Sequence, residues 1–175
     1  MPAAGDRFEM VDGSVYEVVK PAAETRGEYV EMIFHQPPGS VPPPPHVHSR
    51  LVEEYEVLEG SFDVMIDGDW TTLGPGESAS VPQGVLHTFR NRSGSMVRVR
   101  NFHRPAARFD QYIEHIYGLL RARGVKRKSD PRVPVYLAMV MLEYPDTLEP
   151  ARKRERLGIK ALAGLGRILG MRTAV

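Results

Sequence analysis

A period of two in apolar and polar positions dominates the first hundred residues. Residues 8–20 alternate weakly and run through SVYEVVK, which predicts a first strand. After a loop from Pro21 to Gly27, GEYVEMIFHQ alternates clearly and is rich in β-branched and aromatic residues, so it predicts a second strand. EYEVLEG and SFDVMIDG predict two strands meeting near Gly60, and Asp67-Gly68 predicts a hairpin return. Trp70 to Leu73, SASVP, the segment from His87, and Met96 to Phe102 bring the total to about eight short strands with turns and no helices between them. That is the pattern of a mainly β, antiparallel sandwich or barrel, and a double-sheet jelly roll is the expected form. One stretch breaks the alternation: PPGSVPPPP holds six prolines in nine residues, which can neither continue a helix nor sit inside a sheet. It predicts a rigid lead-in to the residues that follow.

At Pro105 the period changes. Phe109, Tyr112, Ile113, Ile116, Tyr117 and Leu120 fall at helical intervals on a helix that stops at Gly124, and the basic loop VKRKSDPR follows. PVYLAMVMLEY is almost wholly apolar, and its Ala and Met content favours a buried helix over a buried strand. After PDTLEP, the segment ARKRERLGIKALAGLGRILGM, residues 151–171, predicts a final helix. In it Leu157, Leu162, Leu165, Ile168 and Leu169 give an apolar side, while Gly158, Ala161, Ala163, Gly164 and Gly166 permit close helix approach. The chain is thus expected to divide into a barrel, residues 1–105, and a helical extension, residues 106–175, packed on the barrel or on a partner subunit.

Composition changes this picture little. With 175 residues, 42% hydrophobic and 26% charged, the chain suits one globular domain with an appendage. The absence of cysteine excludes disulfides and thiolate zinc sites and accords with a cytoplasmic location. The start, MPAAGDRFEM, has no basic region leading into an apolar stretch, so no signal peptide is expected; no apolar run of about 18 residues predicts a spanning helix.

Charge adds one asymmetry. Residues 150–175 carry seven Lys or Arg against Glu155 alone, a net of +6, which leaves −5 for the remainder of a chain whose total is +1. The favoured reading is a solvated helix face, although basic residues beside an apolar side also allow contact with a partner subunit or a membrane surface. No helix-turn-helix pattern accompanies the barrel, so nucleic acid is not an expected partner.

The chemistry lies between Gly39 and Asn91. His46, His48 and Glu53 form one cluster and His87 a second, at spacings that suit one ion. Side chains two apart on an extended segment share a face, so His46 and His48 can reach the same point. Imidazole and carboxylate together suit a divalent transition metal, and four ligands leave two positions of an octahedral ion open to water or substrate. By the same period Tyr55 and Val57 share the face of Glu53, and Phe89 that of His87, which makes these three the candidate pocket lining. His35, His103 and His115 lack metal-binding spacing and are expected to be ordinary surface or core residues.

These residues resemble the cupin superfamily. Gly76, Pro82, Gly84, His87 and Asn91 fall at the intervals of that family's second motif; His46, His48, Glu53 and Gly60 fall on its first, with Gly39 one residue further from His46 than the common pattern. The resemblance covers about residues 27 to 104 and is similar to single-domain bacterial cupins with a helical C-terminal extension. It implies a small antiparallel barrel in which His46, His48, Glu53 and His87 hold one divalent metal (Fe, Mn, Ni, Zn or Cu), and a small-molecule ligand in the barrel. It further implies either a dioxygenase-like or isomerase-like enzyme of small aromatic or carbonyl compounds, with Glu53 a candidate base, or a non-catalytic binding or sensing cupin. A homodimer is expected, since pairing covers exposed sheet edges.

Overall fold

The computed structural model describes residues 1–150 and 152–174; Ala151, where the sequence starts the last helix, and Val175 lie outside the described residues. Among the described residues, eleven strands form two antiparallel sheets, followed through most of the C-terminal third by helices. The six-stranded sheet has the order β1 (Arg7–Glu9), β2 (Val15–Lys20), β3 (Val30–Gln36), β10 (Val97–Arg104), β5 (Val52–Glu59), β8 (Ser78–Val81). The five-stranded sheet has the order β11 (Glu149–Pro150), β4 (His46–Val47), β9 (His87–Arg90), β6 (Phe62–Ile66), β7 (Asp69–Leu73). The chain is a mainly β jelly roll, as the alternation predicts. The extra strands are β1, β4 and β11, each of two or three residues and too short to show a period.

The alternation is literal in the long strands. In β3, β5 and β10 every second residue is buried, and the inward set includes Phe34, Tyr55, Val57, Val97 and Val99. These meet Phe62, Val64 and Phe89 from the opposite sheet, and burial of each such side chain contributes ~1.5–3 kcal/mol. The return between β6 and β7 is the expected Asp67-Gly68 turn, both residues at positive φ (53° and 97°) as a type I′ hairpin requires.

Helix α1 (Phe109–Ala122) lays its predicted stripe against the barrel: Tyr112, Ile113, Ile116 and Tyr117 share one core with Val18 and Phe34. It ends at Gly124, whose φ of 64° permits the return bond from the Val125 amide to the Leu120 carbonyl. Helices α2 (Arg132–Met141) and α3 (Lys153–Ile168) pack on one another. Here the expected close approach through small residues is found at Ala163 and Gly166, but of the expected apolar side only Leu162 packs. Leu157, Leu165, Ile168 and Leu169 are exposed, and the face against α2 is built from Ala163 and Gly166 with Ile159 and Leu162 beside them. A Cβ on Gly166 would lie 2.6 Å from Val135 Cγ1 and 2.7 Å from Met139 Sδ, so the small side chain sets how closely the helices meet.

Candidate metal centre

Strand register assembles the site from both sheets. On the five-stranded sheet His46 of β4 lies directly opposite His87 of β9. On the six-stranded sheet Glu53 of β5 lies directly opposite His103 of β10, with Asn101 two residues before it. His48 follows β4 and is fully buried, and the Gly84 amide donates to its carbonyl at 2.8 Å, tying the two motifs together at the backbone. His46, His48, Glu53 and His87 are all buried, and one ligand atom from each lies within 4.8 Å of the others. The four predicted ligands therefore meet at one point.

The histidines are oriented by the backbone. His46 Nδ1 donates to the Pro44 carbonyl at 2.9 Å, His87 Nδ1 to the Val85 carbonyl at 3.0 Å, and His48 Nδ1 to the Thr147 carbonyl. A carbonyl can only accept, so each Nδ1 carries the proton and each neutral ring presents a bare Nε2 to the centre. His48 Nε2 and His87 Nε2 stand 3.1 and 2.9 Å from Glu53 Oε2, and the buried His87 Nε2 has no hydrogen-bond partner. Lone pairs crowded around a carboxylate repel one another unless a positive charge lies between them. The donor set and its orientation thus fit a divalent transition metal.

Electrostatics agree. Burial, with His87 and His48 alongside, depresses the His46 pKa to about 3, so this ring is neutral at physiological pH. Burial pushes the Glu53 carboxyl up, but the imidazoles around it, His103 first and then His48 and His87, outweigh burial and hold it well below the usual carboxylate value. Burial lowers His87 too, yet Glu53 beside it gives a net rise. Its other oxygen, Oε1, accepts from Asn101 Nδ2 at 2.8 Å and lies 3.3 Å from His103 Nε2. Glu53 is thereby steered with Oε2 toward the histidines.

His103 is a core histidine and not one of the four candidate ligands, as expected, yet it stands beside the site. It is fully buried against Glu53 and stacks on Phe109 of α1, ring centroids 3.6 Å apart. Its signal was in the sequence: Val97, Val99, Asn101 and His103 share the inward face of β10, and polar residues at two inward positions mark a built polar site. No comparable signal marks Thr147, which is far along the chain from His48.

Tyr55, Val57 and Phe89 point inward as the period predicts, but they form packed core. The Tyr55 ring lies 5.4 Å from Phe62 and 5.8 Å from Phe89, and Phe89 lies 5.9 Å from Phe34. Tyr55 Oη is buried without a hydrogen-bond partner, and burial together with the Glu53 charge pushes its pKa well up. A groove of about 470 Å³ lies outside the barrel, lined by Ser49, Arg50, Met141, Leu148, Glu149 and Ile159 among others. No helix among the described residues is long and apolar enough to cross a membrane.

The family described as "Cupin domain" matches residues 32–102. Among solved structures, an RmlC-like cupin from Shewanella frigidimarina is 22% identical, with 61% of this chain and 88% of that chain covered and a TM-score of 0.52. KdgF from Halomonas sp. is 21% identical over 61% of this chain and 90% of that one, TM-score 0.51. A predicted oxalate decarboxylase from Thermotoga maritima is 16% identical over 57% and 90%, TM-score 0.51. At these identities the likeness is one of fold. No curated protein matches the sequence. Residues 32–102, which carry both motifs and bring His46, His48, Glu53 and His87 together, match the cupin domain, and the jelly roll is the fold of the cupins above.

Proposed function

We propose that this protein is a metal-dependent enzyme acting on a small aromatic or carbonyl compound by dioxygenase-like or isomerase-like chemistry. One divalent transition metal (Fe, Mn, Ni, Zn or Cu) is held by Nε2 of His46, His48 and His87 and by the Glu53 carboxylate. One observation supports the reading: three imidazoles, each fixed by an Nδ1–H bond to a carbonyl, aim unprotonated nitrogens at one carboxylate. Bound there, the metal supplies Lewis acidity toward an oxygen-bearing substrate, worth several kcal/mol.

The chain's own residues do the rest. Asn101 and His103 hold Glu53 Oε1, which limits the carboxylate to one face of the centre. Tyr55, Val57 and Phe89 fill the barrel beside it and exclude bulk water, so the substrate is small and approaches past His46, the least buried of the ligands. The same reading carries a cytoplasmic homodimer, supported by the absence of cysteine and by the exposed edge strands β1 and β7.

The test is oxygen uptake and product analysis by protein loaded in turn with each metal, over a panel of phenols and 1,3-dicarbonyls. Turnover with one metal, lost in His87→Ala, is expected. Silence with every metal, accompanied by saturable ligand binding, would favour the non-catalytic binding or sensing cupin.

A further inference from the structure

The C-terminal extension reaches the metal centre at two places. From α1, the Phe109 ring stacks on His103, which touches Glu53. From the segment after α2, the Thr147 carbonyl accepts the proton of His48 Nδ1. We infer that residues 146–150 are a strap that positions His48, with Thr147 its positioning residue, so that metal affinity depends on a part of the chain outside the barrel motifs. This inference rests on the ligand assignment above.

Several bonds set the strap in place. Thr147 is fully buried, and its Oγ1 donates to the Ala107 carbonyl at 2.8 Å, which fixes the peptide that faces His48. On one side of it Asp146 pairs with Arg50 at 2.8 Å. On the other, Glu149 and Pro150 of β11 pair with Val47 and His46 of β4, making the strap an added strand on the ligand-bearing edge. The Ser49 hydroxyl donates to Glu149, and Arg156 of α3 pairs with the same carboxylate at 2.6 Å. His46 and His48 are thus bracketed by residues 146–150, with Arg50 and Ser49 tied down immediately after them.

The physical consequence is specific. Without an acceptor at Nδ1, the His48 ring is free to rotate and to place its proton on Nε2, which cannot then bind a metal. Hydrogen bonds that orient a ligating histidine typically change metal affinity 10–100-fold when removed. The strap also couples α3 to the centre, since a displacement of that helix pulls on Glu149 through Arg156.

Thr147→Val keeps the volume and removes the anchoring hydroxyl; Thr147→Ser restores it; Glu149→Ala releases the strap from its exposed side. Zinc affinity is measured by competition with a chromophoric chelator, with His87→Ala as control, and ¹⁵N shifts of the His48 ring report which nitrogen carries the proton in the metal-free protein. Thr147→Val is expected to weaken zinc binding at least ~10-fold and to move the His48 ring signals from the Nδ1–H pattern, Glu149→Ala to weaken it by a smaller factor, and Thr147→Ser to bind like wild type. Equal affinities for wild type, Thr147→Val and Glu149→Ala, with binding lost in His87→Ala, would overturn the strap while sparing the ligand assignment. Failure of wild type to bind zinc would instead remove the ligand assignment itself. Should Thr147→Val fail to fold, the Glu149→Ala affinity and ring shifts decide.

Discussion

Acidifying the metal-free protein from pH 7 to pH 5 is expected to destabilise it, with His46 a principal cause. Burial, together with His87 and His48, holds its pKa at about 3, against 6.5 for the free side chain. Below pH 6.5 the unfolded chain takes up a proton at this position, whereas the folded chain refuses it until about pH 3, so stability falls throughout that window as pH falls. A proton taken up by one state alone is worth ~1.36 kcal/mol per pH unit. At pH 5, 1.5 pH units below the free value, His46 therefore removes ~2 kcal/mol. His103, lowered chiefly by burial, acts in the same direction. His87 opposes both, because its raised pKa gives stability that is present below 6.5 and lost as pH rises. Glu53, depressed well below 4.5, keeps its contribution at pH 5 and loses it only under stronger acid. The His46 share is isolated by His46→Gln, which deletes the proton site and keeps a polar side chain. Urea denaturation of chelator-treated protein at both pH values is the assay. Wild type is expected to lose ~2 kcal/mol more than the variant, or ~4–8 °C in melting temperature for a chain of this size. Equal losses would refute the argument that a neutral, buried His46 faces the centre.

Three further outcomes follow from the geometry. Asn101→Leu removes the 2.8 Å bond that steers Glu53 and is expected to weaken metal binding ~10–100-fold in a chelator competition; unchanged affinity would show that Glu53 is oriented without it. Gly166→Val places carbon where Val135 and Met139 already stand, at 2.6 and 2.7 Å, and is expected to cost ~1–3 kcal/mol in urea denaturation, with no loss contradicting the close α2–α3 approach. Leu165→Ser, on the exposed face of α3, is expected to shift stability by less than ~0.5 kcal/mol; a larger loss would mean that this face is covered in solution.

Much of the barrel was legible because long strands buried on one face write their period into the sequence. β3, β5 and β10 show it residue by residue, and the His46-x-His48 pair, Glu53 and His87 inherit their convergence from that frame. What was not legible depends on contacts that leave no periodic trace. β4 and β11 are two-residue pairings fixed by neighbours, and Thr147 acts through its carbonyl, which every residue type carries. His103 lacks metal-ligand spacing and is not a ligand; what puts it beside the site is its inward place in β10 opposite Glu53. On α3 the small residues named for close approach do face α2 at Ala163 and Gly166, but most of the leucines expected to form the packed side do not, because close packing on α2 selects the smallest residues. Tyr55, Val57 and Phe89 show the limit of inward orientation, which identifies the interior and leaves open whether it is filled.

The central claim is that four side chains from two distant stretches bind one cation. It is tested most directly by anomalous scattering from crystals of the protein loaded with one equivalent of zinc. The prediction is a single peak about 2.0–2.2 Å from Nε2 of His46, His48 and His87 and from a Glu53 oxygen, absent in His87→Ala. A peak bound by other residues, or none at these four, would contradict the account.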